Sequence, residues 1–264
     1  MHHEHSVFFG LFNGFLNRLF GPVEGAPAWW RNGIDLGGLH VGGIAPRGEN
    51  GELIGWIPDH VAMTLVVFLF CAVFFFLASR RYRKDAPSPL QNTIEVFVDF
   101  LRGIIRENVP HDGMRYLPIA GTFFFFIFFC NVCGLFWFLQ PPTANLSVTF
   151  ALSITCFLYF NAEGFRAQGV VGYLKTFMGP VLVMAPLMFL IEVIGNFARA
   201  LSLSMRLYGN IYGEHTANSI FTGLVPIVVP FPMMALGIFG ALLQAYVFTL
   251  LTTVYLGGAI AHEH

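Results

Sequence analysis

The 264-residue chain is 56% hydrophobic with 31 Phe, and only 11% of its residues are charged. That composition describes an integral membrane protein and excludes an ordinary soluble domain. The 14 basic and 15 acidic residues leave a formal net charge of -1, and without a basic face the chain is not expected to take nucleic acid as its main partner.

In chain order, residues 6–21, SVFFGLFNGFLNRLFG, set Phe8, Phe12, Phe15, Leu16, Leu19 and Phe20 on one helical face with Asn13 and Asn17 opposite. This pattern predicts an interfacial helix, preceded by a solvated terminus holding His2, His3 and His5 and followed by a polar loop rich in Gly and Pro over 22–58. Residues 1–58 are therefore read as an external region and 59–264 as a single membrane domain. Val61–Ser79 is an uncharged run of 19 residues, enough for one upright span. Arg80, Arg81, Arg83 and Lys84 follow at once, so the positive-inside rule puts the 80–116 segment in the cytoplasm and the N-terminus outside. Near 91–107, Ile94, Phe97, Val98, Leu101, Ile104 and Ile105 oppose Glu95, Asp99, Arg102 and Arg106, the pattern of a helix lying on that surface.

Leu117 to Ala162 carries no charge, and Gln140-Pro141-Pro142-Thr143 divides it into a predicted hairpin with helices near 119–139 and 146–161. Asn131 and Asn145 are among its few polar residues and candidates for lining a water path. The segment AEGFRAQGVVGYLK is expected as a loop that returns the chain inside. Two long helices follow, near 187–222 and 233–261. In the second, Gly237, Ala241 and Ala245 recur every four residues, a small-residue face that allows close packing. Cys71, Cys130, Cys133 and Cys156 all lie in apolar runs, where thiols behave as small hydrophobes, so no metal or redox centre is expected.

The helix near 187–222 is the unusual one. Glu192, Asn196, Arg199, Arg206, Asn210 and Glu214, at intervals of 4, 3, 7, 4 and 4, stay within about 80° of one another at about 100° per residue, with Ser202 at the edge of the stripe. His215 lies about 100° away and points towards a neighbouring helix. A charged residue at the bilayer centre costs roughly 2.5–3.5 kcal/mol on insertion scales, so this stripe faces something other than lipid. The helix is roughly 54 Å long against about 30 Å of hydrocarbon. With no proline between 187 and 222 to break it, the expectation is a steep tilt, near 60°, beyond the usual range of about 0–40°. A short turn makes its successor an antiparallel partner, with Gln244 expected beside Arg206.

Arginine stays protonated and relays no protons itself. Glu192 and Glu214 lie too far along the axis for a direct bond to Arg206, so its partner is expected on another polypeptide. A passing carboxylate would have its pKa lowered by the guanidinium. Glu192, Ser202, Asn210, Glu214, His215 and Gln244 are the groups expected to line aqueous paths.

SLSMRLYGNIYGEH from Ser202 and LLQAYVFTLLTTVYL from Leu242, together with NVCGL at Asn131 and PPTANLSVT at Pro141, resemble the a subunit of the F-type ATP synthase membrane sector, over nearly the whole chain. The resemblance implies an all-α membrane protein with one upright helix, a surface helix, a membrane hairpin and a tilted two-helix hairpin facing a rotor ring. It implies a stator proton channel, not catalytic alone and without a cofactor, partnered by the c-ring and b-type stalk subunits, in an energy-coupling membrane, most simply the bacterial inner membrane. Arg206 resembles the arginine facing the ring carboxylate; Asn210, Gln244 and the Glu214/His215 region resemble the outer half-channel, and Glu192 and Ser202 the inner side. Arg199 matches a basic position, and Tyr255 is a further candidate for channel lining. One departure stands out: where the family commonly pairs an acid or His near Glu214 with a group on the last helix, this chain has Gly237. That leaves Glu214 and His215 as alternatives for the principal relay. The competing reading is a proton-coupled secondary transporter whose buried charges bind a solute.

Overall fold

A computed structural model describes residues 7–20, 34–36, 39–41, 57–82, 89–109, 113–135, 139, 141–178, 185–224 and 230–260. The His-containing start, most of the 22–58 loop, and Arg83 and Lys84 lie outside the described residues. Seven α-helices carry the described fold: α1 (Val7–Phe20), α2 (Asp59–Arg80), α3 (Pro89–Asn108), α4 (Leu117–Cys133), α5 (Leu146–Met178), α6 (Ala185–Leu224) and α7 (Pro230–Ile260). Inside the stretch expected as plain loop, β1 (Ile34–Leu36) pairs antiparallel with β2 (Leu39–Val41). Five helices are long and apolar enough to cross a membrane, and the chain is an integral membrane protein.

Lipid as the outer solvent turns the usual pattern of burial around. On α1, Leu11, Phe15 and Leu19 are exposed, while the Asn13 amide is buried and both donates to and accepts from the Ile57 backbone. Asn13 thus faces the protein, while Leu11, Phe15 and Leu19 face outward with Asn17 and Arg18 exposed beside them. On α2, Phe68, Leu69, Phe70 and Phe76 are exposed, and only Ala62, Met63 and Val67 are buried.

The core lies between α4, α5 and α7. α4 packs along α7, and α5 packs along both α6 and α7. Phe123 on α4 meets Phe248 on α7 at 5.6 Å between ring centres, and Phe125 meets Phe75 of α2 at 4.9 Å. The small-residue face of α7 is buried at Gly237, Ala241 and Ala245, which lets backbones approach. The surface helix α3 buries Leu101, Ile104 and Ile105.

Polar contacts mark two ends of this bundle. At the α1 end, His60 near the start of α2 meets Asn145, just before α5, at 3.3 Å. At the α3 end, a Cβ on Gly257 would overlap the Asn108 carbonyl oxygen, so α7 and α3 touch through a glycine. There too Gln168 donates to the Ala259 carbonyl, at 3.1 Å. Glu163, 5% exposed, accepts from Arg166 at 3.0 Å, Tyr116 at 3.3 Å and Arg115 at 3.4 Å, tying α5 to the start of α4.

Three element bounds differ from expectation. The helix expected to 139 ends at Cys133, because the chain turns at Gly134 and Leu135, where a Cβ on Gly134 would press on Pro141 and His215. The segment from 162, expected as loop, is helical to Met178 with one break at Gly169 (φ 72°, ψ 164°), a left-handed conformation that glycine adopts without penalty. Its charges read as loop, but the Glu163–Arg166 pair at i, i+3 supports a helix. The last helix begins at Pro230 rather than 233; proline is at home in a first turn, where its missing N–H costs nothing. α6 is continuous over 40 residues, as the absence of an internal proline predicts.

Candidate functional site

Length and an uninterrupted helical pattern make α6 a rod of about 60 Å at ~1.5 Å per residue. It buries a narrow strip, Asn196, Leu203, Ser204, Leu207 and Ile211, against the rest of the bundle. Arg206 stands outside that strip and is exposed, with Ser202 exposed one turn before it. Among the described residues no carboxylate or hydrogen-bond acceptor pairs with the Arg206 guanidinium. In front of Gly195, Gly209 and Gly213 there is open space, and at 100° per residue these glycines fall within about 60° of Arg206. The arginine therefore sits in a shallow, small-residue face.

At the α3 end of α6, Arg199 donates to Glu192 at 3.0 Å, both side chains about two-fifths exposed, and its guanidinium lies 5.7 Å over the Tyr255 ring of α7. Beneath them Asn196 donates to Asn161 of α5 at 2.9 Å, and the Tyr173 hydroxyl donates to the same oxygen at 2.9 Å.

One turn past Arg206, Asn210 donates to Gln244 of α7 at 2.6 Å. Gln244 is 2% exposed. Gln244, expected beside Arg206, has Asn210 as its described hydrogen-bond partner, one turn along α6 from that arginine.

At the α1 end, the Glu214 carboxylate rests against Gly237, where a Cβ would overlap Glu214 Oε1 and Leu135 Cδ2. His215 reaches across to Gly134 at the end of α4, so it points to a neighbouring helix. Gly134, Leu135, Glu214, His215, Asn218, Met233 and Met234 line a cavity of about 30 Å³, room for water. Three residues before Gly134, Asn131 accepts from Thr143 at 2.7 Å, while its amide nitrogen is buried without a partner. Asn145, by contrast, is engaged by His60.

The structure thus joins Glu192, Arg199 and Tyr255 at one end, Asn210 with Gln244 near the middle, and Glu214 with His215 at the other end. Ser202 and Arg206 stand on the open face. Sequence reasoning missed Asn161, Tyr173, Thr143 and His60. An amide such as Asn161 inside an otherwise apolar stretch was the available signal, since polar groups there bond across helices.

Comparison with known proteins bears on this arrangement. Residues 60–257 match the family model described as ATP synthase A chain. The chain is 38% identical over 207 residues to ATP synthase subunit a of Sulfurihydrogenibium sp. (strain YO3AOP1), covering 78% of this chain and 99% of that protein. It is 41% identical to ATP synthase subunit a 1 of Pelobacter propionicus, covering 78% and 89%, and 38% identical to ATP synthase subunit a of Geobacter sp. (strain M21), covering 86% and 94%.

Proposed function

The chain belongs to the ATP synthase A chain family, and we propose that it is the stator subunit that brings two offset aqueous half-paths to the carboxylates of a rotor ring, with Arg206 as the barrier between them. Its place would be a bacterial inner membrane, N-terminus outside and the 80–116 segment cytoplasmic, with α6 and α7 lying tilted against the ring and b-type stalk subunits holding the chain still.

The observation that carries this reading is the position of Arg206: exposed on the small-residue face of an apolar helix, with no described acid of its own chain beside it. Such a charge in a membrane calls for a counter-charge elsewhere. Glu192 lies about 21 Å from it along α6 on one side and Glu214 about 12 Å on the other, at ~1.5 Å per residue. The two polar groups are therefore separated end to end, with the arginine between.

In the mechanism a ring carboxylic acid nearing Arg206 gives up its proton to the path at one end, because the guanidinium favours the carboxylate. The carboxylate passes the arginine, then takes a proton from the path at the other end and moves on into lipid. Protons cannot hop directly between the paths past a fixed positive charge, so each proton that crosses turns the ring. Glu192 and Ser202 serve the inner path; Asn210, Gln244, Glu214 and His215 serve the outer one, with Asn131 at its edge. The small cavity at Glu214 has room for water.

The test is contact. Cysteines placed at Ser202 and Gly213, on the face of Arg206, should form disulfides with cysteines on the ring's outer helix, whereas one at buried Leu203 should not. Failure of both exposed positions to crosslink would reject the ring-facing assignment.

A further inference from the structure

Asn161, Tyr173 and Asn196 form a small hydrogen-bonded network between α5 and α6. In a straight helix Asn161 and Tyr173, twelve residues apart, would be separated by about 18 Å along the axis. The Tyr173 hydroxyl nevertheless donates to Asn161 Oδ1 at 2.9 Å. The break at Gly169 folds the end of α5 back to make that contact. Gly164 provides the landing, since a Cβ there would strike the Tyr173 ring.

The hydrogen bonds orient both amides. Asn161 Nδ2 donates to the Phe157 carbonyl at 2.7 Å, so Asn161 Oδ1 is the acceptor, shared by Tyr173 and by Asn196 Nδ2 at 2.9 Å. Reversing the Asn196 amide would set two oxygens against each other. Asn196 Oδ1 must then face away from the network, and there it is buried without a partner on a residue only 6% exposed. A buried acceptor of this kind is normally met by an ordered water. Asn196 sits one turn from Glu192 and one turn from Arg199 on α6, beneath their ion pair.

We propose that Asn161 and Tyr173 position the Asn196 amide to hold a water that extends the inner aqueous path from the Glu192–Arg199 pair into the protein. Tyr173 and Asn161 are positioning residues; Asn196 is the one that touches the water. This rests on the half-path reading of the preceding subsection.

The experiment uses the assembled synthase in inverted membrane vesicles, its four native cysteines replaced by alanine with coupled pumping retained. Asn196→Cys should make proton flux sensitive to silver ion added on the α3 side, while Leu203→Cys, on the same helix but in the apolar core, should stay insensitive. Indifference of Asn196→Cys to silver from that side would overturn the proposal. In parallel, Asn196→Leu should lower passive flux per assembled complex about five- to tenfold, the rate equivalent of one hydrogen bond, and Asn196→Ser, which keeps an acceptor, should restore most of it. Equal flux in Asn196→Leu and the unaltered protein, or equal losses in the Leu and Ser variants, would also overturn it. The half-path reading fails separately, if Arg206→Ala still pumps in a coupled way; silver sensitivity reports water at Asn196 whatever Arg206 does.

Discussion

Asn210 on α6 donates a 2.6 Å hydrogen bond to Gln244 on α7, one turn past Arg206. It is the polar tie that joins the two long helices at mid-length, and it leaves Gln244 Nε2 buried without a partner. The pair therefore fixes how α7 stands behind the arginine and keeps one donor pointed inward.

Asn210→Leu and Gln244→Leu should each destabilise the detergent-solubilised membrane sector, and their effects should not add. A buried neutral hydrogen bond contributes about 1 kcal/mol, so the coupling in a double-mutant cycle should be of that size. Thermal unfolding of the unaltered protein, the two single variants and the double variant measures it, and strictly additive shifts would mean the bond contributes nothing to the pairing.

Gly237 is where the Glu214 carboxylate lies. Gly237→Ala should displace Glu214 and Leu135, cost roughly 1–3 kcal/mol as overpacking does, and slow proton flux. Gly237→Ala combined with Glu214→Ala should regain the part of the lost stability that the Glu214 overlap causes, the Leu135 overlap remaining, but not the flux. Gly240→Ala, whose Cβ would meet Glu214 Oε2 at 3.4 Å, an ordinary contact, should be tolerated. Unfolding and passive flux of the three variants decide it, and a harmless Gly237→Ala would remove this packing from the account.

Glu163 is buried between Arg115 and Arg166, which are themselves 66% and 72% exposed. Removing its charge leaves two solvated arginines rather than a stranded buried ion, so the loss should stay at about 1.5–3 kcal/mol, the range for a charge-assisted hydrogen bond. Glu163→Gln should accordingly lower the yield of assembled complex while leaving pumping per complex close to normal. A large fall in pumping per complex would give Glu163 a role on the proton route.

The sequence and the structure agree where one physical signal dominates. The spans near 61–79 and 187–222 were legible from unbroken apolar length and the position of prolines, and the surface helix from its alternating faces. Legibility failed at Gly169, because a single left-handed residue lets a charged segment continue as helix and fold back, and nothing in periodicity reports that. It failed again at Gly134, where an apolar run continues past the end of α4 but the chain turns and the glycine leaves room for His215 and Pro141. The stripe from Glu192 to Glu214 could be read from spacing, yet its division into separate clusters could not. That depends on partners from α4, α5 and α7, such as Asn161, Tyr255, Gln244 and Gly237, whose meeting is tertiary.

The most direct test of the account is Arg206→Ala in the assembled synthase. ATP-driven proton pumping should be lost, with ATP hydrolysis by the soluble head still measurable. Coupled pumping at the unaltered rate in that variant would contradict it.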